Sequence, residues 1–523
     1  MTTLILRAGT VPIVWRNFLL LCSCVLFCDV LFWNTFPGLN IVLGAMSLAA
    51  LLIARAAPMA MTSRAKAVLF AMLLSATMVI VHASIISILA TIVFLVLFSA
   101  FLLEPALRSV LSAMGQVLYN FASVPMSFFE GIGAAVPEKG ASRRGFRWIK
   151  LSLLPVLVLF VYYHIYRVAN PKFEELTAGF MGRFADLLER FFNGVFTAHT
   201  LFLLAMAYLT GGLLFRLAPG FVAGAEAKLS DALVRIRIRR PHWKTPLSLN
   251  ALERERRMGL VLLVAVNALL LMVNIIDINW VWFGFTVPEG FSLKQFVHEG
   301  TWLLILSILL SMGILLRLFR RNLNFHPRTL WLKRLALLWV AQNVVLGISV
   351  FLRNAHYIGF HGLAYKRIGV IVFLLLVLIG LATLAWKIHT KRSTFYLLRV
   401  NGWTAFAVLA MLTCFNWDRI IVEYNLDHPN PGEIDTDNYL ALSDKVLPLL
   451  YAHQQDVSRQ MVKHSANAVR WTETQDPEVF KEGLDRKSRA FLQRWEMAGW
   501  QSWTWAEQRT YNELLYMASG SDH

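Results

Sequence analysis

The chain has 523 residues, 57% hydrophobic and only 16% charged, with a mean hydropathy of +0.55. That composition excludes a disordered chain and argues against an ordinary soluble domain. The formal net charge of +18, from 50 Lys+Arg against 32 Asp+Glu, leaves nucleic acid, an anionic membrane surface or membrane topology as its explanation.

The apolar residues come in blocks. A helix needs about 20 mostly apolar residues to cross a hydrocarbon core about 30 Å thick. Eleven blocks approach that length: 18–34, 38–54, 66–82, 84–103, 151–168, 198–217, 258–278, 300–318, 334–352, 368–386 and 400–416. The third and fourth touch at Val81-His82-Ala83-Ser84, so a tight hairpin is expected there, and a miscount would reverse every later orientation. The first block is not read as a cleaved signal, because the chain turns at Pro37-Gly38 straight into the next span. Cys22, Cys24, Cys28 and Cys414 all lie in predicted spans and imply neither a disulfide framework nor a thiolate metal site.

Charge placement gives the orientation. With a cytoplasmic N-terminus, the inner segments hold 31 of the 50 Lys+Arg and the outer loops 8, as the positive-inside rule requires. The tail, 417–523, then lies outside with 11 Lys+Arg against 17 Asp+Glu, a net −6 that leaves +24 on the remainder. The densest run, Arg235-Ile-Arg237-Ile-Arg239-Arg240 near Arg254 to Arg257, reads as a topology signal touching anionic lipid headgroups. It lacks the aromatic interleaving and motifs of a nucleic-acid surface, so membrane lipids, not nucleic acid, are the expected partners.

The fold class expected is an all-α polytopic membrane protein. Residues 1–103 form a four-helix membrane segment, 104–150 a cytoplasmic connection, 151–416 a seven-helix segment, and 417–523 a small helical outer domain. Within the connection, Leu107 to Phe129 is amphipathic. Outside, Phe173 to Phe192 reads as an interfacial helix. In the tail, Asp435 or Thr436 caps a helix expected to run through Tyr439 and Leu442 toward Pro448. Asp476-Pro477 begins another, and Thr504 to Glu507 has capping-box spacing before a helix ending near Met517. Six tail tryptophans, at 417, 471, 495, 500, 503 and 505, read as core and interface-belt residues.

Soluble-enzyme motifs are absent. His298-Glu299 begins like a zinc-protease helix but lacks the second His, and His356 and His361, five apart, face different sides of a helix, so no metal and no cofactor is expected. Polar groups within spans are the better clue, since they are costly in lipid. Asp29 lies in span one. Asn267, Asn274 and Asp277 share one face of span seven, and Gln342-Asn343 sit within span nine. Topology places a second set on the outer face under the acidic tail: Asp277, His298, Glu299, Arg353, His356, Tyr357, His361, Lys366, Arg367 and Asp418, with Arg353 to Arg367 filling an outer loop. Two uses stay open for it, a docking surface for the tail and a ligand site beneath it.

Several short motifs recur in order through this part of the chain: Asn274-Ile-Ile-Asp277, His298-Glu299-Gly300, Tyr357, Gly362-Leu363, Lys366-Arg367, Asn416-Trp417-Asp418, Tyr424-Asn425, Ile434-Asp435, Tyr439-Leu440, Leu442-Ser443-Asp444 and Pro448. Over about 267–449 they resemble the bacterial multi-spanning membrane proteins carrying the domains of unknown function numbered 4153 and 4173. The family usually has Thr after its Gly-Leu pair, where this chain has Ala364. The resemblance implies a bacterial inner-membrane protein and brings no catalytic residues with it.

Three functional readings follow. In the leading one, a non-enzymatic core positions the outer tail, which senses or scaffolds envelope proteins, and deleting 417–523 is expected to leave the core inserted and stable. In the second, Asp29, Asn267, Asn274, Asp277, Gln342 and Asn343 line a path for transport or lipid handling, although no inverted repeat or broken helix pair accompanies them. In the third, a transferase uses a lipid-linked substrate at the outer face with Asp277, His298 or Glu299 as acid/base groups. Against that, the first outer loop, Asn34-Thr35-Phe36-Pro37, carries no acid. Oligomeric state is not readable from the sequence.

Overall fold

A computed structural model describes residues 15–135, 197–217, 220–235, 248–284, 293–320, 322–428, 436–466 and 477–520, with isolated helical positions between 155 and 183. Most of the predicted span at 151–168, of the outer helix at 173–192 and of the arginine run at 235–240, and all of Asp435, Trp471 and Asp476, therefore lie outside the described residues. So do the side chains of His298 and Glu299.

The described residues form eighteen helices and no β-strand, with one isolated bridge between Ala232 and Arg392. Seven helices are long and apolar enough to cross a membrane, and three shorter apolar ones accompany them. Helices are the physical solution, since each backbone N–H and C=O in lipid must find a partner within its own segment. The chain divides into two compact units. One holds residues 1–70, 93–107 and 112–224; the other holds 71–92, 108–111 and 225–523.

The first unit contains α1 (Trp15–Phe32), α2 (Leu39–Arg55), the end of α4 (Ile85–Leu103), most of α5 (Val110–Ala135) and α6 (Ala198–Leu214). The α1–α2 turn is built on buried Asn40. Its Nδ2 donates to the carbonyls of Leu31 (3.2 Å) and Phe36 (2.9 Å), and its Oδ1 accepts from Gly38 N and Ile41 N, both at 2.8 Å. The amphipathic stretch predicted around Leu107–Phe129 is α5, and its buried face mixes apolar residues such as Ala113, Val117 and Val124 with polar ones. Gln116, Asn120, Ser123 and Ser127 are buried, whereas Met114 and Leu118 are exposed. Gly212 of α6 admits the Phe121 ring so closely that a Cβ there would stand 2.2 Å from it.

In the second unit the junction between α3 (Ser63–His82) and α4 breaks where expected, with Ala83 in the left-handed region at φ 47°. Five further long helices follow: α8 (Ser248–Asp277), α9 (Leu293–Leu318), α10 (Leu330–His361), α11 (Tyr365–Thr390) and α12 (Thr394–Leu412). The short α7 (Phe221–Ala227), which spans the division at 224/225, precedes them in sequence. Their shared core is aliphatic, with Leu263, Ile308, Leu315, Leu332, Leu381 and Leu384 almost fully buried. Several helices outrun their apolar blocks. α10 has 32 residues, about 48 Å at 1.5 Å per residue, against about 30 Å of hydrocarbon.

That overrun corrects one expectation. Arg353, His356, Tyr357 and His361 do not fill a loop; they occupy the last turns of α10, and Lys366 and Arg367 the first turn of α11. Only residues 362–364 connect the two helices, through Gly362 at φ 80°.

The tail is helical: α13 (Trp417–Asp427), α14 (Thr436–Ala441), α15 (Leu447–Ala452), α16 (Gln454–Ala466), α17 (Pro477–Met497) and α18 (Trp505–Gly520). The helix expected to continue toward Pro448 stops at Ala441, because Ser443 leaves the helical path to donate to Asp418 Oδ2 at 2.8 Å. Thr504 Oγ1 accepts from Glu507 N at 3.3 Å, as the capping-box spacing predicts. The tail's core does not stop at residue 417. Ile421, Val422, Leu447, Leu450, Phe480, Leu484 and Phe491 pack in one cluster with Ile358, Leu363 and Ile368 from α10 and α11.

Candidate functional site

Two buried polar networks are built within the second unit. The first lies along the seam of α8 and α10, which run parallel: Asn267 lies against Leu335 and Gln342, and Asp277 against Arg353. Asn267 Nδ2 donates to the carbonyls of Leu263 (2.6 Å) and Leu335 (3.1 Å), and its Oδ1 accepts Gln342 Nε2 at 3.2 Å. Asn274 Nδ2 donates to the Gln342 carbonyl at 3.1 Å, and Asn343 Nδ2 to that of Trp339 at 2.8 Å. At the end of the seam, Arg353 Nη2 donates to Asp277 Oδ1 at 2.5 Å, and both side chains are buried. Beyond it, α8 closes in a π-turn from which Trp282 Nε1 donates to Ser349 Oγ at 3.0 Å. The His356 ring meets the Val281 carbonyl at 3.1 Å.

The orientation of every amide here is fixed, because each nitrogen faces an acceptor, three of them directly on backbone carbonyls. Asn267 uses both of its N–H groups, while Asn274, Gln342 and Asn343 each place one N–H on a partner. Asn274 Oδ1, Gln342 Oε1, Asn343 Oδ1 and Asp277 Oδ2 are buried without a partner among the described residues. Those four oxygens are acceptors that a donor or a cation would complement.

The second network joins the tail to the ends of α10 and α11. Asp418, 4% exposed, accepts Tyr365 Oη on Oδ1 (2.8 Å), and on Oδ2 both Ser443 Oγ (2.8 Å) and Lys445 Nζ (2.9 Å). Lys445 Nζ also donates to the His82 carbonyl. Burial alone pushes the Asp418 carboxyl up. The Lys445 ammonium and the hydrogen bonds from Lys445, Tyr365 and Ser443 outweigh it, and hold the group below its ordinary range.

A side chain then imitates a backbone partner. Asn425 Oδ1 accepts Leu363 N at 2.5 Å while its Nδ2 donates to the Leu363 carbonyl at 2.9 Å. Arg367 Nη1 donates to the His361 carbonyl at 2.8 Å and to that of Gly362, with its guanidinium 4.7 Å from the Tyr357 ring centroid. The turn that carries the Gly362-Leu363 motif is thus held on all sides.

Deeper in the tail, Asp444 faces Lys487 (3.7 Å) and Arg494 (3.0 Å), and Arg494 also reaches Glu507 at 2.7 Å. Burial raises the Glu507 carboxyl, with the Arg494 charge only partly opposing it, and burial lowers the Lys487 ammonium. Tyr451 Oη donates to Asp485 Oδ1 at 2.8 Å, and burial together with that carboxylate pushes the phenol up to about 12.

The remaining predicted residues fall as follows. Asn416 caps α13, Tyr424 stacks on His428 with centroids 4.4 Å apart, Tyr439 is buried, and Pro448 sits in the first turn of α15. Lys366 is exposed, and the His361 ring lies tilted against Tyr357, centroids 4.6 Å apart. Asp29 belongs to the first unit, where His199 Nε2 meets its Oδ1 at 2.7 Å. No group of three or more His, Cys, Asp or Glu that could hold a metal ion occurs among the described residues. The sequence reading missed Tyr365, Lys445, Lys487, Arg494, Glu507 and His199. Tyr365 and Lys445 each adjoin a motif, and Glu507 was in view only as a helix cap; the others carried no signal.

Seven apolar helices of spanning length, a parallel seam with buried amides and an ion pair, and a helical tail rooted in the same core define an all-α polytopic membrane protein. The family described as Domain of unknown function (DUF4153) matches residues 68–453, and the chain belongs to that family. The match reaches well into the first half, where the sequence alone offered only similar hydropathy. No curated protein and no solved structure matches the chain.

Proposed function

We propose that this is a non-enzymatic scaffold or sensor of the bacterial inner membrane, with a cytoplasmic N-terminus and a periplasmic tail that contacts envelope proteins. The observation that carries it is the rooting of the tail. Its acidic Asp418 is spent on Tyr365, Ser443 and Lys445, and its core is continuous with α10 and α11. A tail held this way presents a surface of fixed geometry. Met497 (80% exposed), Trp500 (58%) and Trp505 (49%) lie close together in sequence and are the residues to test as that surface.

A photoreactive residue at 500 or 505 is expected to capture envelope proteins in cells, with capture lost in the Trp500→Ala, Trp505→Ala double variant. Absence of any adduct, or an unchanged pattern in the double variant, would overturn the reading. Deleting 417–523 is a poor test, since it would bare Ile358, Leu363 and Ile368.

A second reading, transport, is favoured by one observation: the leftover acceptor oxygens of Asn274, Gln342, Asn343 and Asp277 along the α8–α10 seam. It predicts ordered water or a cation there, and proton or cation flux into vesicles that Asn274→Leu abolishes. Equal flux in wild type, variant and empty vesicles removes it.

A further inference from the structure

The first unit contains a cavity of about 490 Å³ that neither reading uses. α1 begins at it, and α2, α4 and α6 end at it, so it opens where four helices terminate together. Its walls are apolar, from Leu52, Leu102, Leu214 and Leu217, and its polar groups are Arg55, Arg216 and Asn17.

The cationic side is organised. The exposed Arg55 donates to Asn17 Oδ1 at 3.1 Å, with its guanidinium 5.4 Å from the Phe215 ring centroid. Arg216 Nε is held at 2.7 Å by buried Glu104, whose same oxygen accepts Gly220 N at 2.9 Å, while half of the Arg216 side chain stays exposed. The wall is fixed as well. Buried Asn120 donates to the carbonyls of Gly212 (2.5 Å) and Phe215 (2.8 Å), and accepts Leu217 N at 2.9 Å.

An apolar slot between helix ends with guanidinium groups at its mouth has the chemistry of one molecule: an acyl chain carrying a phosphate. Arg55 has no carboxylate partner among the described residues, so its charge is available to a phosphodiester. The charge distribution of the sequence also puts these helix ends on the side richest in Lys and Arg, where anionic lipid attracts basic groups. We infer that this cavity is a specific site for an anionic phospholipid, its headgroup phosphate on Arg55 and Arg216 and one acyl chain along Leu52, Leu102 and Leu214. The inference stands apart from both functional readings, which rest on the second unit.

The test uses full-length protein in neutral maltoside micelles, titrated with phosphatidylglycerol or with phosphatidylcholine of the same acyl chains, bound lipid being counted by native mass spectrometry. One phosphatidylglycerol is expected to stay bound where phosphatidylcholine does not. Arg55→Gln is expected to weaken it about fivefold, the worth of one interfacial arginine, and Arg55→Lys to retain it. Ala57→Trp, which fills the cavity, is expected to abolish retention, and glycerol 3-phosphate is expected not to displace the lipid. Equal binding of the two lipids, wild-type binding by both Arg55→Gln and Ala57→Trp, or full displacement by glycerol 3-phosphate would overturn the proposal. So would an equal loss in Arg334→Gln, a charge removed from the other unit.

Discussion

Asp418 and Asp277 are both 4% exposed, both paired with a cation, and differently finished. Asp418 uses both oxygens on three partners, while Asp277 uses one oxygen on Arg353 and leaves the other without a partner among the described residues. A buried ion pair stabilises only when its remaining lone pairs are also satisfied. The contrast separates a latch, which closes, from a seam, which keeps acceptor capacity in hand.

The largest expected effect is at the latch. Asp418→Asn leaves the Lys445 ammonium buried and is expected to cost about 3–5 kcal/mol, seen as a lowered unfolding midpoint in micelles. Adding Lys445→Met should recover part of the loss; no recovery would mean the two do not act as a pair. Asp277→Asn also strips a buried cation, Arg353, of its carboxylate, and is expected nearer the lower end of the same range of about 3–5 kcal/mol, since Asp277 already leaves one oxygen without a partner among the described residues. Equal losses at the two sites would break the comparison.

Asn425→Ala removes two hydrogen bonds to Leu363 at about 0.5–1.5 kcal/mol each, and hydrogen exchange at the Leu363 amide should quicken while the α8 amides stay protected. Smallest is Asn274→Leu, expected at about 0.6 kcal/mol if the seam is only helix–helix packing. A distinctly larger loss would show that the seam's polarity matters to the fold.

The acid side adds a signature. The Asp418 carboxyl is held below its ordinary range, so its contribution is present above about pH 4 and lost as pH falls through the lower folded value. Glu507 is raised, so the folded state holds its proton more tightly and gains stability as pH falls toward about 4. Thermal stability is therefore expected to rise slightly on mild acidification and collapse on further acidification. Glu507→Gln should erase the rise and Asp418→Asn the part of the collapse due to the latch.

Much of the candidate site was legible because motif residues were already in view. Asn425, Ser443, Asp418 and Arg367 all make contacts that hold the tail. The pairing of Tyr365 and Lys445 with Asp418 was not legible, because it joins residues 53 and 27 apart in sequence and no local periodicity encodes it. His199 was hidden for the same reason, 170 residues from Asp29.

What the sequence determined by itself was the membrane class, the helix blocks and the separation of +24 from −6, because each follows from the cost of placing polar groups and charge in lipid, residue by residue. Only the tertiary structure decided that α10 carries its histidines and Arg353 on a helix instead of a loop, that the tail shares a core with the membrane helices, and that one buried aspartate is closed while the other is not. Those are matters of which surfaces meet, and complementarity between distant segments is set by packing, which no local pattern records.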